Sequence, residues 1–118
     1  MEELITLDTY QAVANSTAVY AHVDYPFMGI GEEVGELLGK LAKHSRKNDM
    51  TLNESLTTEA LDGPLREDLL KELGDVLWML SQCADALDTD LDNIAKINMT
   101  KLADRQERGV LVGEGDNR

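Results

Sequence analysis

Two carboxylate motifs constrain this chain more than any other feature: Glu32-Glu33-Val34-Gly35-Glu36 and, further on, Glu72-Leu73-Gly74-Asp75. In each, acids stand three residues apart inside a segment whose leucines and valines recur at helical spacing. Residues at i and i+3 on a helix share a face, with Cβ atoms about 5–6 Å apart, so each pair can hold one cation from a single helix. Antiparallel packing of the two segments would gather these carboxylates around one small space. Acids that close cannot all stay ionised unless a multivalent cation neutralises them. The expectation is a helical scaffold arranged around an acidic centre.

The apolar periodicity predicts four helices. The first runs from Leu7 to about Asp24, capped by Asp8 or Thr9, with Tyr10, Val13, Ala14, Thr17 and Ala21 on one stripe. Tyr25-Pro26-Phe27-Met28-Gly29 then turns the chain, because the residue before proline avoids the helical region. The second helix covers Ile30 to Lys47, with Val34, Leu37, Leu38 and Leu41 inward. A polar connector, Asn48 to Gly63, holds one short helix over Asn53 to Leu61 and is anchored by Leu52, Leu56 and Leu61. The third helix starts at Asp62-Gly63-Pro64, where a first-turn proline loses no hydrogen bond. The fourth follows Asp88–Asp92, where Thr89 and Asp92 resemble a capping box, and it stops near Glu107 before Gly109. Aromatic residues are only 4% of the chain, so the core must be Leu, Val, Ile, Ala and Met, as in a helical bundle. The fold class expected is all-α, a four-helix-bundle-type protomer: a single domain over 1–108 and a flexible tail over 109–118.

Val76-Leu77-Trp78-Met79-Leu80 is apolar around its whole circumference. A helix apolar on every side is buried on every side, which in so short a chain calls for burial against a second subunit. Glu72, Asp75 and Met79 share a face, so the acids run into an apolar region rather than into solvent. Gln11 and Asn15 are polar neighbours on the first helix, read as solvated or as ligand contacts. Lys40 follows Glu36 by one turn, the spacing of a surface ion pair worth about 0.2–0.5 kcal/mol. The other reading of Lys40 and Lys43 is as cations near bound phosphate. Asn98, Lys101 and Arg105 fall on one line of the last helix beside its apolar stripe.

The net charge of −12 argues against a protein that coats nucleic acid or an anionic membrane. Cys83 is the single cysteine and reads as a buried thiol. The start MEELITLDTYQ lacks the pattern of a secretion signal, and the longest strictly apolar run, Val76 to Leu80, is too short to span a bilayer. A cytoplasmic location is expected. CxxC, HExxH, GxxxxGK[ST] and GxGxxG motifs are all missing, and neither His22 nor His44 has a partner at ligand spacing. Neither stands three residues after a glutamate, which disfavours a di-iron bundle. An all-carboxylate donor set selects Mg²⁺, Mn²⁺ or Ca²⁺, and Mg²⁺ commonly shares its coordination with substrate phosphates.

The EExxE…ExxD pattern, with Lys71-Glu72-Leu73-Gly74-Asp75-Val76-Leu77-Trp78 and Asn98-Met99-Thr100-Lys101-Leu102-Ala103-Asp104-Arg105, closely resembles the MazG-like all-α nucleoside triphosphate pyrophosphohydrolases. The resemblance covers roughly residues 29 to 109. It implies hydrolysis of a (deoxy)nucleoside triphosphate to monophosphate and pyrophosphate, with Mg²⁺ or Mn²⁺, in a dimer or tetramer. Carried over by position, Glu33, Glu36, Glu72 and Asp75 are the metal ligands. Glu32 and Glu36 are the catalytic acids, Glu32 holding a second metal or orienting the attacking water. Lys101 and Arg105 would contact phosphates, Asn98 the phosphate or sugar, and Met79 the base or sugar pocket with Trp78 beside it. The 35 residues between Glu36 and Glu72 exceed the family's usual gap, and the extra length falls in the connector. Two other functions stand beside this one: a related pyrophosphatase acting on a phosphoribosyl nucleotide, and a non-catalytic acidic helical adaptor.

Overall fold

The computed structural model describes residues 3–59 and 63–118. Among these the chain is entirely helical: α1 (Leu7–Ser16), α2 (Tyr25–Lys47), a short α3 (Leu52–Glu54) continued by a π-helical turn (Ser55–Glu59), α4 (Pro64–Ala86) and α5 (Leu91–Arg108). The all-α class is as expected, and so are the third and fourth helices. Leu61 and Asp62, expected to anchor the connector and to open the third helix, lie outside the described residues.

The first third of the chain differs from the expectation. Helix α1 ends at Ser16, not near Asp24. Ser16 Oγ donates to the Val13 carbonyl at 2.6 Å and Thr17 Oγ1 to that of Ala14 at 2.8 Å, so hydroxyls take up carbonyls of the last turn. The segment beyond is then held by tertiary contacts. Trp78 Nε1 donates to Thr17 Oγ1 at 2.9 Å, and the Tyr20 ring stands edge-on to Trp78 and stacks on Tyr25. Helix α1 starts at Leu7 as expected, but its cap is Thr6, not Asp8 or Thr9, the Thr6 hydroxyl accepting from the Thr9 amide. Pro26, expected to break a helix, instead sits in the first turn of α2, where its missing N–H costs nothing. At the start of α5, Asp90 is the cap, accepting from the Asn93 amide at 2.7 Å, while Thr89 Oγ1 accepts from the Asn93 side chain. The end of α5 is as expected, with Gly109 in the left-handed region at φ 71°.

Helices α2 and α4 form the main packed pair and run antiparallel. Their register can be followed from Gly29 against Met79, through Glu33 beside Glu72 and Asp75, to Leu41 against Leu69. Gly29 is needed for that approach, since a Cβ there would lie 2.6 Å from the buried Met79 sulfur. Gln11 and Asn15 both take part in the scaffold, Asn15 while remaining exposed. Gln11 is buried, donates to the Ser81 carbonyl and accepts from the Leu91 amide at 2.7 Å, tying α1 to α4 and α5. Asn15 Oδ1 accepts from the fully buried Gln82, whose oxygen accepts from Tyr20 at 2.8 Å. Satisfying each buried amide in this way avoids roughly 1–3 kcal/mol of desolvation penalty per group.

The protomer is open. Its radius of gyration is 17.2 Å, against about 13–14 Å for a compact domain of this length. Val34 and Leu38 on α2, Leu70, Leu73 and Leu77 on α4, and Ile97 and Leu102 on α5 are exposed although they lie at helical spacing. The Val76–Leu80 stretch is thus only partly covered within one chain. Cys83 is buried, and burial pushes its thiol pKa up.

Candidate active site

The sequence places Glu33 on the flank of the apolar stripe of α2, and Glu72 and Asp75 one turn apart on α4. The antiparallel register brings them together. Each presents a carboxylate oxygen, and the three oxygens lie within 4.8 Å of one another. Glu72 is only 6% exposed, Glu33 is half-buried and Asp75 opens to solvent. Glu36 and Glu32 are exposed and stand outside this tight group, yet their charges reach Glu33. Burial first, then the charges of Glu36, Asp75, Glu72 and Glu32, raise the pKa of the Glu33 carboxyl above its ordinary value.

Two features bear on a cation. Glu33 Oε2 and Glu72 Oε2 are buried and have no hydrogen-bond partner among the described residues. Buried carboxylate oxygens are costly unless something positive or a donor meets them. Glu72 Oε1 is matched, by Lys40 Nζ at 2.8 Å. Lys40 therefore pairs across the two helices, and not with Glu36 along its own helix. Its ammonium is held charged first by the hydrogen bond to Glu72, with burial opposing and the charges of Glu72, Asp68 and Glu36 adding. The donor set, all carboxylate oxygen on two rigid helices, fits a hard divalent cation.

The remaining expected contacts stand outside the group of three carboxylates. Met79 is buried on the α2 side of α4, against Gly29. Asn98 lines an apolar cavity of about 240 Å³ with Leu7, Leu77, Leu80, Leu91 and Ile94. Lys101 Nζ and Arg105 Nη2 both bind Asp116 Oδ1, at 2.8 and 3.2 Å, and Arg105 also donates to the Asp116 carbonyl. The two cations lower the Asp116 pKa, Lys101 most strongly. The tail over 109–118 is thereby folded back on α5. Among the described residues no hydrogen bond or ion pair joins Asn98, Lys101 or Arg105 to the carboxylate group of α2 and α4.

Two neighbours of the site were not singled out from sequence. Tyr10 on α1 has its phenol pKa raised, by burial and then by the nearby charge of Asp75, which puts it beside the acids. The cross-helix role of Lys40 was the other; its spacing from Glu36 concealed it, and only the α2–α4 register exposes it.

Comparison with known proteins fits this geometry. The profile of the MazG nucleotide pyrophosphohydrolase domain matches residues 27–110. The chain belongs to the MazG family. Its matched part begins inside α2 and ends just past α5, so it holds both carboxylate motifs and the Asn98–Arg105 line. The chain is also 36% identical over 121 residues to Gene 37 protein of Mycobacterium phage L5, an alignment covering 95% of this chain and 98% of that protein. No solved structure gives a significant match. The family points to a hydrolase acting on nucleotide pyrophosphate bonds. No helix among the described residues is long and apolar enough to cross a membrane.

Proposed function

We propose that this MazG-family protein hydrolyses (deoxy)nucleoside triphosphates to the monophosphate and pyrophosphate, with Mg²⁺ as cofactor and Mn²⁺ able to replace it. The observation that carries the reading is the meeting of Glu33, Glu72 and Asp75, with two buried oxygens left unmatched, in a member of this family. Glu33, Glu72 and Asp75 would hold the cation, with Glu36 as a further ligand from the exposed side. A divalent ion so held supplies charge stabilisation to phosphate oxygens and acidifies water. In the reaction a water oxygen bonds to the α-phosphorus and the bond from that phosphorus to the bridging oxygen breaks. The bridging oxygen leaves with the pyrophosphate, and the water gives up its proton.

The chain's own residues divide the remaining work. Glu32 and Glu36, exposed beside the buried acids, are suited to orient water and accept its proton. Lys101 and Arg105 would contact phosphate once Asp116 is displaced, with Asn98 at phosphate or sugar. Met79, from the same face of α4 as Glu72 and Asp75, would close the base or sugar side. The exposed apolar residues of α2, α4 and α5 support a homodimer or homotetramer, which would bring the α5 line of one copy towards the acids of another. The setting is cytoplasmic, with a role in nucleotide-pool control or sanitation.

The test is incubation of the purified protein with each common dNTP and NTP, with Mg²⁺, Mn²⁺ or EDTA, resolving monophosphate, diphosphate and pyrophosphate. Metal-dependent monophosphate plus pyrophosphate is expected. Diphosphate plus orthophosphate would refute cleavage at the α–β bond. Absence of turnover together with no metal-induced rise in Tm would leave the acids as a scaffold feature.

A further inference from the structure

We propose that the cleft between the C-terminal half of α2 and the first turns of α4 is a diphosphate subsite, taking the β- and γ-phosphates of the substrate and holding pyrophosphate after cleavage; this rests on the pyrophosphohydrolase reading above. The cleft measures about 340 Å³ and is lined by Lys40, Lys43, His44 and Lys47 of α2 and by Pro64, Leu65 and Asp68 of α4. In a chain of net charge −12, three of its six lysines face this one space. They fall at i, i+3 and i+7, a single line along α2. Lys43 and Lys47 are exposed and belong to no ion pair among the described residues, so both ammonium groups are available to an anion. Asp68 is the one acid in the lining. His44 already has Nδ1 at 3.1 Å from the buried Ser55 hydroxyl, which fixes its ring at the wall.

Position gives the cleft its meaning. Lys40 is at once a wall of the cleft and the partner of Glu72 at 2.8 Å, so the basic space begins one side chain from the carboxylate group. A triphosphate whose α-phosphorus lies at the acids can then extend its outer phosphates along α2, over Lys40 and on to Lys43 and Lys47. The bond between the two regions is the one whose cleavage leaves a diphosphate on the lysines. Lys40 also links the two sites. A divalent cation reaching Glu72 competes with the Lys40 ammonium, and a released Lys40 adds a third charge to the cleft. Cation and diphosphate should therefore bind cooperatively.

Calorimetry with inorganic pyrophosphate on the full chain tests this, with and without Mg²⁺, comparing wild type, the double variant Lys43→Gln/Lys47→Gln and the remote charge control Lys96→Gln. The double variant should bind pyrophosphate about tenfold or more weakly, equivalent to one or more lost charged contacts, while Lys96→Gln binds as wild type does. Its KM for a triphosphate should rise, its affinity for the monophosphate should hold, and its Mg²⁺-induced rise in Tm should be unchanged. Unaltered pyrophosphate affinity in an enzyme that still turns over triphosphates would overturn the cleft and leave the proposed activity standing. So would an equal loss of monophosphate binding, because the cleft would then take the other end of the nucleotide. Loss of pyrophosphate binding in a protein that turns over no nucleotide would support the diphosphate site while refuting the activity.

Discussion

The antiparallel α2–α4 pair has two halves of opposite character. Towards one end lie Glu33, Glu72 and Asp75, drawn together, Glu72 buried and Glu33 half-buried, with two buried oxygens unmatched. Towards the other lie Lys40, Lys43 and Lys47 over Leu65, mostly exposed and costing the fold little. A scaffold selected only for stability has no reason to bury carboxylates without partners, whereas exposed lysines need no such explanation. The difference teaches that the acidic half is strained towards a ligand of opposite charge, and that the basic half is a solvated surface whose value depends on its neighbour. Lys40 is the only described side chain recorded as joining the two by an ion pair.

The largest effect should come from removing that buried acid. Glu72→Gln keeps the shape of the side chain but loses the charge, and activity should fall about a hundredfold or more, with the metal-induced rise in Tm reduced. The metal-free Tm should change little, because the lost 2.8 Å pairing with Lys40 is offset by having one fewer crowded carboxylate. Initial rates and melting curves with Mg²⁺ and with EDTA check this. Retained activity with a lower Tm would assign Glu72 to the scaffold and erase the contrast between the halves.

Next comes the packing just beyond the acidic end. Met79→Ala empties a buried position against Gly29 and should lower stability by about 2–5 kcal/mol, as other buried Met→Ala changes do. Denaturant unfolding measures it. A raised KM with stability intact would instead make Met79 a substrate contact first and a packing residue second.

How much of this was legible beforehand follows from the kind of interaction involved. The carboxylate motifs, the leucine stripes, Pro64 at the start of α4 and Gly109 at the end of α5 are local signals, and local periodicity and capping chemistry suffice to read them. The end of α1 was not legible, because it is set by Thr17 and Tyr20 meeting Trp78 some 61 residues away in sequence from Thr17. Pro26 was ambiguous on its face: the same ring that ends one helix begins another. Lys40 offered two acids, Glu36 by spacing and Glu72 by register, and sequence spacing favoured the wrong one. The scaffold bonds of Gln11 and Asn15 were hidden because their partners, Ser81, Gln82 and Leu91, come from α4 and α5.

A pH titration sharpens the comparison by a smaller margin. The Glu33 carboxyl has its pKa raised in the folded protein, above the ordinary 4.5. Between 4.5 and the raised value the folded state binds more protons than the unfolded one, so this group's contribution to stability falls as pH rises through that window. Above the window the penalty is complete. Metal-free protein should therefore gain Tm as the pH is lowered from neutrality into the window, and Glu33→Gln should flatten that slope. With Mg²⁺ the trend should reverse, since protons and metal compete for the same oxygens. A slope unchanged in Glu33→Gln would mean that Glu33 does not carry the pH dependence.

The smallest effect is expected at the C-terminal end of α5, and it asks whether the cations there belong with those of the basic cleft. Asp116 holds Lys101 and Arg105 through one carboxylate oxygen, and it is itself largely exposed. Exposed pairs contribute little to stability, so Asp116→Asn should leave Tm almost unmoved. It should nevertheless weaken the hold on two charged side chains, Lys101 and Arg105, the second still bonded to the Asp116 carbonyl and, at 7% exposed, already oriented by its surroundings. If these residues serve phosphate, the variant should show a modestly lower KM for a triphosphate and a steeper dependence of KM on salt, because phosphate would no longer compete with a resident carboxylate. An unchanged KM at every salt concentration would mean that Lys101 and Arg105 only fasten the tail, and that the lysines of α2 are the cations that matter to the substrate.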